Sequence, residues 1–111
     1  MKSVMAREIE AGFAVAAQLS LADVSAAAGR FALIVNNRPD GEDPTAPQSA
    51  AIEAAAREAG IDYVAIPVTH AGFSHAQIDA LDAAIRDAGG PVLAYCRSGT
   101  RSCFLWALSR A

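Results

Sequence analysis

Four apolar stretches, each followed by a turn and then by a segment of helical spacing, constrain this chain more than any other feature. The stretches are Gly12–Ala17, Phe31–Val35, Tyr63–Val68 and Val92–Tyr95. Phe31–Val35 is apolar without a break, as expected of a strand covered on both faces. Pro67 cannot donate to a ladder, so that end of the third stretch reads as a sheet edge or an exit. The helical segments carry their own start and stop signals. Ser20 caps a helix with Asp23 in its first turn, Leu21, Val24 and Ala28 on one face, and Gly29 at its end. A second helix begins near Pro47, turns Ile52, Ala55, Ala56 and Ala59 inward, and stops at Gly60. Ser74-His75-Ala76-Gln77 is a capping box, with Ile78, Leu81, Ile85 and Ala88 expected inward after it. The last helix, Ser102–Leu108, is apolar on every side and is expected in the interior. Such alternation implies an α/β fold of three layers: a mostly parallel sheet of roughly four to five strands flanked by helices on both faces.

The 111 residues suffice for one domain spanning 1–111. A net charge of −3 without clustered Lys or Arg gives no support for nucleic-acid binding. No apolar run approaches the roughly 20 residues of a membrane span. Met1–Glu10 mixes acids and bases and does not read as a signal peptide. Two cysteines make no disulfide framework, so the cytoplasm is the expected compartment. No metal-ligand set and no cofactor motif stands out.

In sheets of this kind ligands sit beyond the carboxyl ends of the strands. The loops after Val35, Val68 and Tyr95 share that end, and the last of them carries the chemistry. Cys96-Arg97-Ser98-Gly99-Thr100-Arg101 leaves a strand and enters a helix. The N-terminus of a helix presents unpaired N–H groups and about half a positive charge. Together they form an anion cradle. Gly99 lets the backbone approach closely, Arg97 adds charge, and Arg101 offers a planar fork to an oxyanion. Comparable settings lower a thiol pKa from about 8.5 into the range of roughly 3.5–7.5. Cys96 is therefore expected as a thiolate nucleophile, with Ser98, Thr100 and Ser102 also at the anion. Cys103 is expected as a core residue, its sharper role being a resolving thiol for Cys96. His75 reads as solvated and Trp106 as core packing.

The octet Tyr95–Ser102 resembles the active loop of rhodanese-type sulfurtransferases. From about Phe13 onward the chain resembles the phosphatase-like domain of the beta-lactamase-hydrolase-like proteins. Val35–Glu42, then Ile66-Pro67-Val68, then the cysteine loop, follow that family's order. The resemblance implies a fold like that of the dual-specificity and tyrosine phosphatases. Some members of the family are fused to a persulfide dioxygenase of metallo-beta-lactamase type or to a flavin sulfide:quinone oxidoreductase. That company implies sulfide and persulfide metabolism and a sulfide- or persulfide-oxidising partner enzyme.

The resemblance pulls toward two chemistries. Cysteine phosphatases place five residues between cysteine and arginine. Here four separate Cys96 from Arg101, as in the rhodanese loop, and Ser102 stands at the phosphatase arginine's place. A phosphatase also needs an acid for its leaving alkoxide. The loop after Val68 holds His70 and no carboxylate, and Asp40 on the neighbouring loop is the other candidate. Thiosulfate or a persulfide leaves without that help. The first expectation is thus sulfane-sulfur transfer through a Cys96 persulfide. The second is phosphomonoester hydrolysis through a phosphocysteine, with His70 or Asp40 as acid. The third is a non-catalytic sulfur carrier or anion sensor. Each takes a small anion: thiosulfate, persulfide or phosphate ester. Arg38, in the turn Arg38-Pro39-Asp40-Gly41, either braces the active loop or pairs with Glu42.

Overall fold

The computed structural model describes residues 6–69 and 71–111. The elements are β1 (Ala6–Glu10), β2 (Phe13–Ala16), α1 (Leu21–Ala26), β3 (Leu33–Asn36), α2 (Ser49–Glu58), β4 (Asp62–Ala65), α3 (His75–Asp87), β5 (Val92–Tyr95) and α4 (Thr100–Arg110). The five strands form one sheet in the order β1-β2-β5-β3-β4. Every pairing is parallel except that of β1 with β2. No helix among the described residues is long and apolar enough to cross a membrane.

Alternation along the strands sorts the core into two layers. Ala14, Ala16, Ile34, Leu93 and Tyr95 point to one face, where α1 supplies Val24 and its C-cap Ala27 and α2 supplies Ile52 and Ala56. Phe13, Val15, Leu33, Val35, Val92 and Ala94 point to the other, where Leu81 of α3 and Leu105 of α4 meet them. The three-layer α/β arrangement is the one expected. The caps at Ser20 and Ser74 are both full capping boxes, closed by Asp23 and Gln77.

Three details differ from expectation. β1 is an additional strand, because its charged sequence is tolerated on an outer strand that pairs on one side. In α1 the buried residue is Val24, joined by the C-cap Ala27, while Leu21 is 47% exposed. That helix is only six residues long and meets the sheet with a face rotated from Leu21 and Ala28. Finally, α4 is not an interior helix. Ser102 and Leu105 are buried, but Phe104 is 56% and Leu108 43% exposed. It covers one face of the sheet's layer and lies beside α3, leaving an apolar side uncovered.

β5 occupies the middle of the sheet. Ala16 of β2 and Asn36 of β3 both stand level with its last residue, Tyr95. The chain segments that follow these three residues therefore emerge together at the carboxyl edge. β4 is the outer strand on that side, and Pro67 follows its end.

Candidate active site

Cys96 follows β5 directly and is fully buried. Its N–H reaches the Ala16 carbonyl at 3.3 Å, continuing the sheet's pairing by one residue. The chain then turns back on itself so that the N–H of Gly99 points at Cys96 Sγ, 3.0 Å away. Gly99 makes this possible with φ of +91°, in the left-handed region, as N-cap of α4. A Cβ there would lie 3.5 Å from the Ala16 backbone, an ordinary contact, so conformation rather than space selects glycine. Ser98 Oγ bonds Thr100 Oγ1 at 3.0 Å and accepts the Thr100 N–H at 3.4 Å, closing the outer side of the loop.

Burial pushes the Cys96 thiol up. The backbone N–H groups of Ser102, Ser98 and Gly99, with the Ser102 hydroxyl, pull it down and prevail, so the pKa lies below the ordinary thiol value. Helix-terminal donors of this kind stabilise the charged form and not the neutral one. Alkylation of Cys96 by iodoacetamide is therefore expected to rise with a midpoint below that of the same thiol in the unfolded chain. A profile shifted upward instead would mean that desolvation governs the site.

Behind the loop, two buried side chains lock its position. Ser102 is fully buried and its hydroxyl donates to Asn37 Oδ1 at 2.8 Å. Asn37 in turn donates through Nδ2 to the Ile66 carbonyl at 2.9 Å, and its N–H donates to the Tyr95 carbonyl at 2.8 Å. One residue, through its side chain and its backbone, thus ties the exits of β3, β4 and β5 to the first turn of α4. The Ser102 hydroxyl has one proton, and Asn37 is the acceptor with clear geometry, so the sulfur's charge rests mainly on amides. Beside this lock, Asn36 donates to the Tyr63 hydroxyl at 2.9 Å, which also bonds Ser49.

Alongside the loop opens a cavity of about 770 Å³, which Arg97, Thr100 and Arg101 line and the buried Cys96 does not. Arg38, Glu42, Asp43, Arg97, Thr100 and Arg101 give it its polar wall; Val68, Phe73 and Phe104 give the apolar one. Arg101 is oriented by two partners. Nη1 donates to the Val68 carbonyl at 2.8 Å, and Nη1 and Nη2 each meet a Glu42 oxygen at 2.8 Å. Arg38 approaches the same carboxylate from Nε at 3.0 Å and reaches Gln18 from Nη1 at 2.9 Å. The Arg101 hydrogen bonds hold Glu42 down to a pKa of about 2, against partial burial and with help from Arg38. Thr45 holds Asp43 lowered as well, through its hydroxyl and then its N–H. Both carboxylates of the wall are ionised at neutral pH.

The residues singled out in the sequence fall into three groups. Cys96, Arg97, Ser98, Gly99, Thr100, Arg101 and Ser102 form one loop and helix start, and Arg38 joins them through Glu42. Arg101 differs from expectation in that its fork faces Glu42. Asp40 does not line the cavity; it accepts the Ser49 N–H at 2.8 Å at the start of α2. His70 lies outside the described residues. Cys103 is half-buried against the apolar layer, Trp106 stacks on Phe13 with centroids 5.8 Å apart, and His75 is exposed. Asn37 and the bridging role of Glu42 are not visible in the sequence. The signal for Asn37 is a polar residue directly after an apolar strand, where burial without a partner is costly.

Residues 6–111 match the family model described as beta-lactamase hydrolase-like protein, phosphatase-like domain. The chain belongs to that family. A beta-lactamase hydrolase-like protein of Xylella fastidiosa (strain Temecula1) is 47% identical over 76 residues, covering 68% of this chain and 18% of the relative. The phosphatase-like domain thus spans about a fifth of the length of the curated relatives it matches. Among solved structures, a candidate phosphatase of Neisseria meningitidis superposes with a TM-score of 0.81. Its identity is 31%, over 93% of this chain and 74% of that one. A mutant form of Tk-PTP gives 0.68 at 19% identity, covering 95% of this chain and 72% of that one. The latter likeness is one of fold.

Proposed function

We propose that this phosphatase-like domain is a cysteine-dependent phosphomonoester hydrolase. The observation that carries the reading is Cys96 Sγ, lowered in pKa and facing the Gly99 N–H at 3.0 Å, beside a cavity walled by Arg97 and Arg101. The family description and the candidate-phosphatase assignment of the Neisseria structure support phosphate over sulfur, and reverse the order expected from the loop's length. Sγ attacks phosphorus, the ester oxygen departs with its electron pair, and water then releases phosphate from the phosphocysteine. The loop N–H groups and guanidinium charge stabilise the equatorial oxygens as charge develops on them.

The ionised state of Glu42 and Asp43 bears on which leaving groups the site favours. Neither carboxylate has a proton to give at neutral pH. An alkoxide leaving group therefore departs without help from them, whereas a phenolate is stable enough to leave alone. General acid assistance is worth about 10²–10⁴-fold. Aryl phosphates are accordingly expected to turn over roughly 10²-fold faster than alkyl phosphates. Asp40 does not fill that role from its place at the start of α2, off the cavity; His70 is the other acid the sequence offers.

The second reading is sulfane-sulfur transfer, favoured by the four-residue spacing between Cys96 and Arg101 and by the burial of Ser102 at the phosphatase arginine's place. Cys96 would attack the outer sulfur of thiosulfate, expel sulfite and pass the persulfide sulfur to a thiol or to cyanide. A sulfide- or persulfide-oxidising partner belongs to this reading. One paired assay separates them: the protein is given phenyl and alkyl phosphate, and separately thiosulfate with cyanide. Phosphate release with the aryl preference supports the first reading. Thiocyanate formation without phosphate release overturns it. A stable Cys96 persulfide with negligible turnover would make the domain a carrier.

A further inference from the structure

The position of Glu42 has a consequence for how the site takes up an anion. Both outer nitrogens of the Arg101 fork engage its carboxylate, each at 2.8 Å. Paired parallel bonds are the geometry in which a guanidinium receives a substrate oxyanion. Arg101 also donates to the Val68 carbonyl, and the Cys96 sulfur lies close enough to help hold its charge. The fork is thus committed to the protein's own groups, although Arg101, Glu42, Arg38 and Arg97 all line the same cavity beside the cysteine loop. We propose that Glu42 is an internal competitor for the oxyanion: it holds the Arg101 fork until an entering anion exchanges for it, and so sets the anion affinity of the site. This rests on the reading of the cavity as an anion site, but not on whether phosphorus or sulfur is transferred.

Two observations favour competition over simple bracing. The Glu42 side chain is 29% exposed and sits in the loop between β3 and α2, so it can leave the fork for water without uncovering the core. The cavity wall sets three guanidiniums, Arg38, Arg97 and Arg101, against two carboxylates, Glu42 and Asp43. Removing the charge of Glu42 frees the fork and strengthens the field felt by an anion. Bracing predicts the reverse, because Arg101 would lose its orientation and the anion a partner.

Inorganic sulfate is a suitable probe, since it binds without turnover. Titration calorimetry on the whole chain is expected to show about three- to tenfold tighter sulfate binding in Glu42→Gln, the range of a partly exposed ion pair. Glu42→Ala must shift in the same direction. It decides the matter alone if the glutamine variant fails to fold. On the unaltered protein, saturating sulfate should raise the carboxyl pKa of Glu42 from about 2 toward its ordinary value, read by carbon NMR. Unchanged or weaker binding in the variants, or a Glu42 titration indifferent to sulfate, would overturn the proposal while leaving the anion site standing. Sulfate binding to neither protein would remove both.

Discussion

Replacing Cys96 with serine is expected to lower turnover by at least about 10³-fold while leaving the protein folded. The loop's amides stabilise a charge that sulfur can carry near neutral pH and that a serine hydroxyl cannot. They lower the thiol's pKa without supplying a base, and no described imidazole or neutral carboxylate contacts position 96 to take a proton from serine. A hydroxyl there accepts the Gly99 N–H as the sulfur does, so the loop keeps its shape. Steady-state kinetics on Cys96→Ser, with a thermal melt alongside, make the comparison. Residual activity above about a tenth of the parent would show that another group attacks.

Asn37→Ala is expected to destabilise the fold by about 3 kcal/mol. The asparagine is 1% exposed and makes two side-chain bonds in the interior. Truncation leaves the Ile66 carbonyl and the Ser102 hydroxyl without those partners, each costing about 1–3 kcal/mol when buried. Water entering the gap would offset part of this, which is why the lower half of the sum is expected. Chemical denaturation measures the loss. The thiol should feel it too: Ser102 anchors the first turn of α4, whose N–H faces the sulfur, so the alkylation midpoint of Cys96 should move up. A variant as stable as the parent would mean that Asn37 fills space and does not hold the strand exits together.

The parts of this molecule that were legible in the sequence are those fixed by local chemistry. Ser20 and Ser74 cap helices within four residues of chain, and the cysteine loop builds its ring from consecutive amides. The α4 helix misled because composition records how apolar a segment is and not how much of it the sheet can cover. Only its side bearing Ser102 and Leu105 finds a full partner. β1 escaped notice because charged residues carry no period-two signal, and its place comes from pairing with β2. The electrostatics of the site were out of reach for a different reason. Glu42 and Arg101 are 59 residues apart, and Asn37 and Ser102 are 65 apart. No spacing rule links such pairs; the parallel alignment of Asn36 with Tyr95 does.

The central placement of β5 divides the candidate site into a stiff half and a compliant one. Hydrogen bonds from β2 and β3 flank the strand that delivers the sulfur, so its amides open to solvent exchange only when the whole sheet comes apart. Glu42 belongs to the partly exposed loop between β3 and α2, whose breathing requires no such rupture. Evolution could therefore retune which anions enter, and how readily, by altering the periphery, with little risk to the nucleophile's bearings.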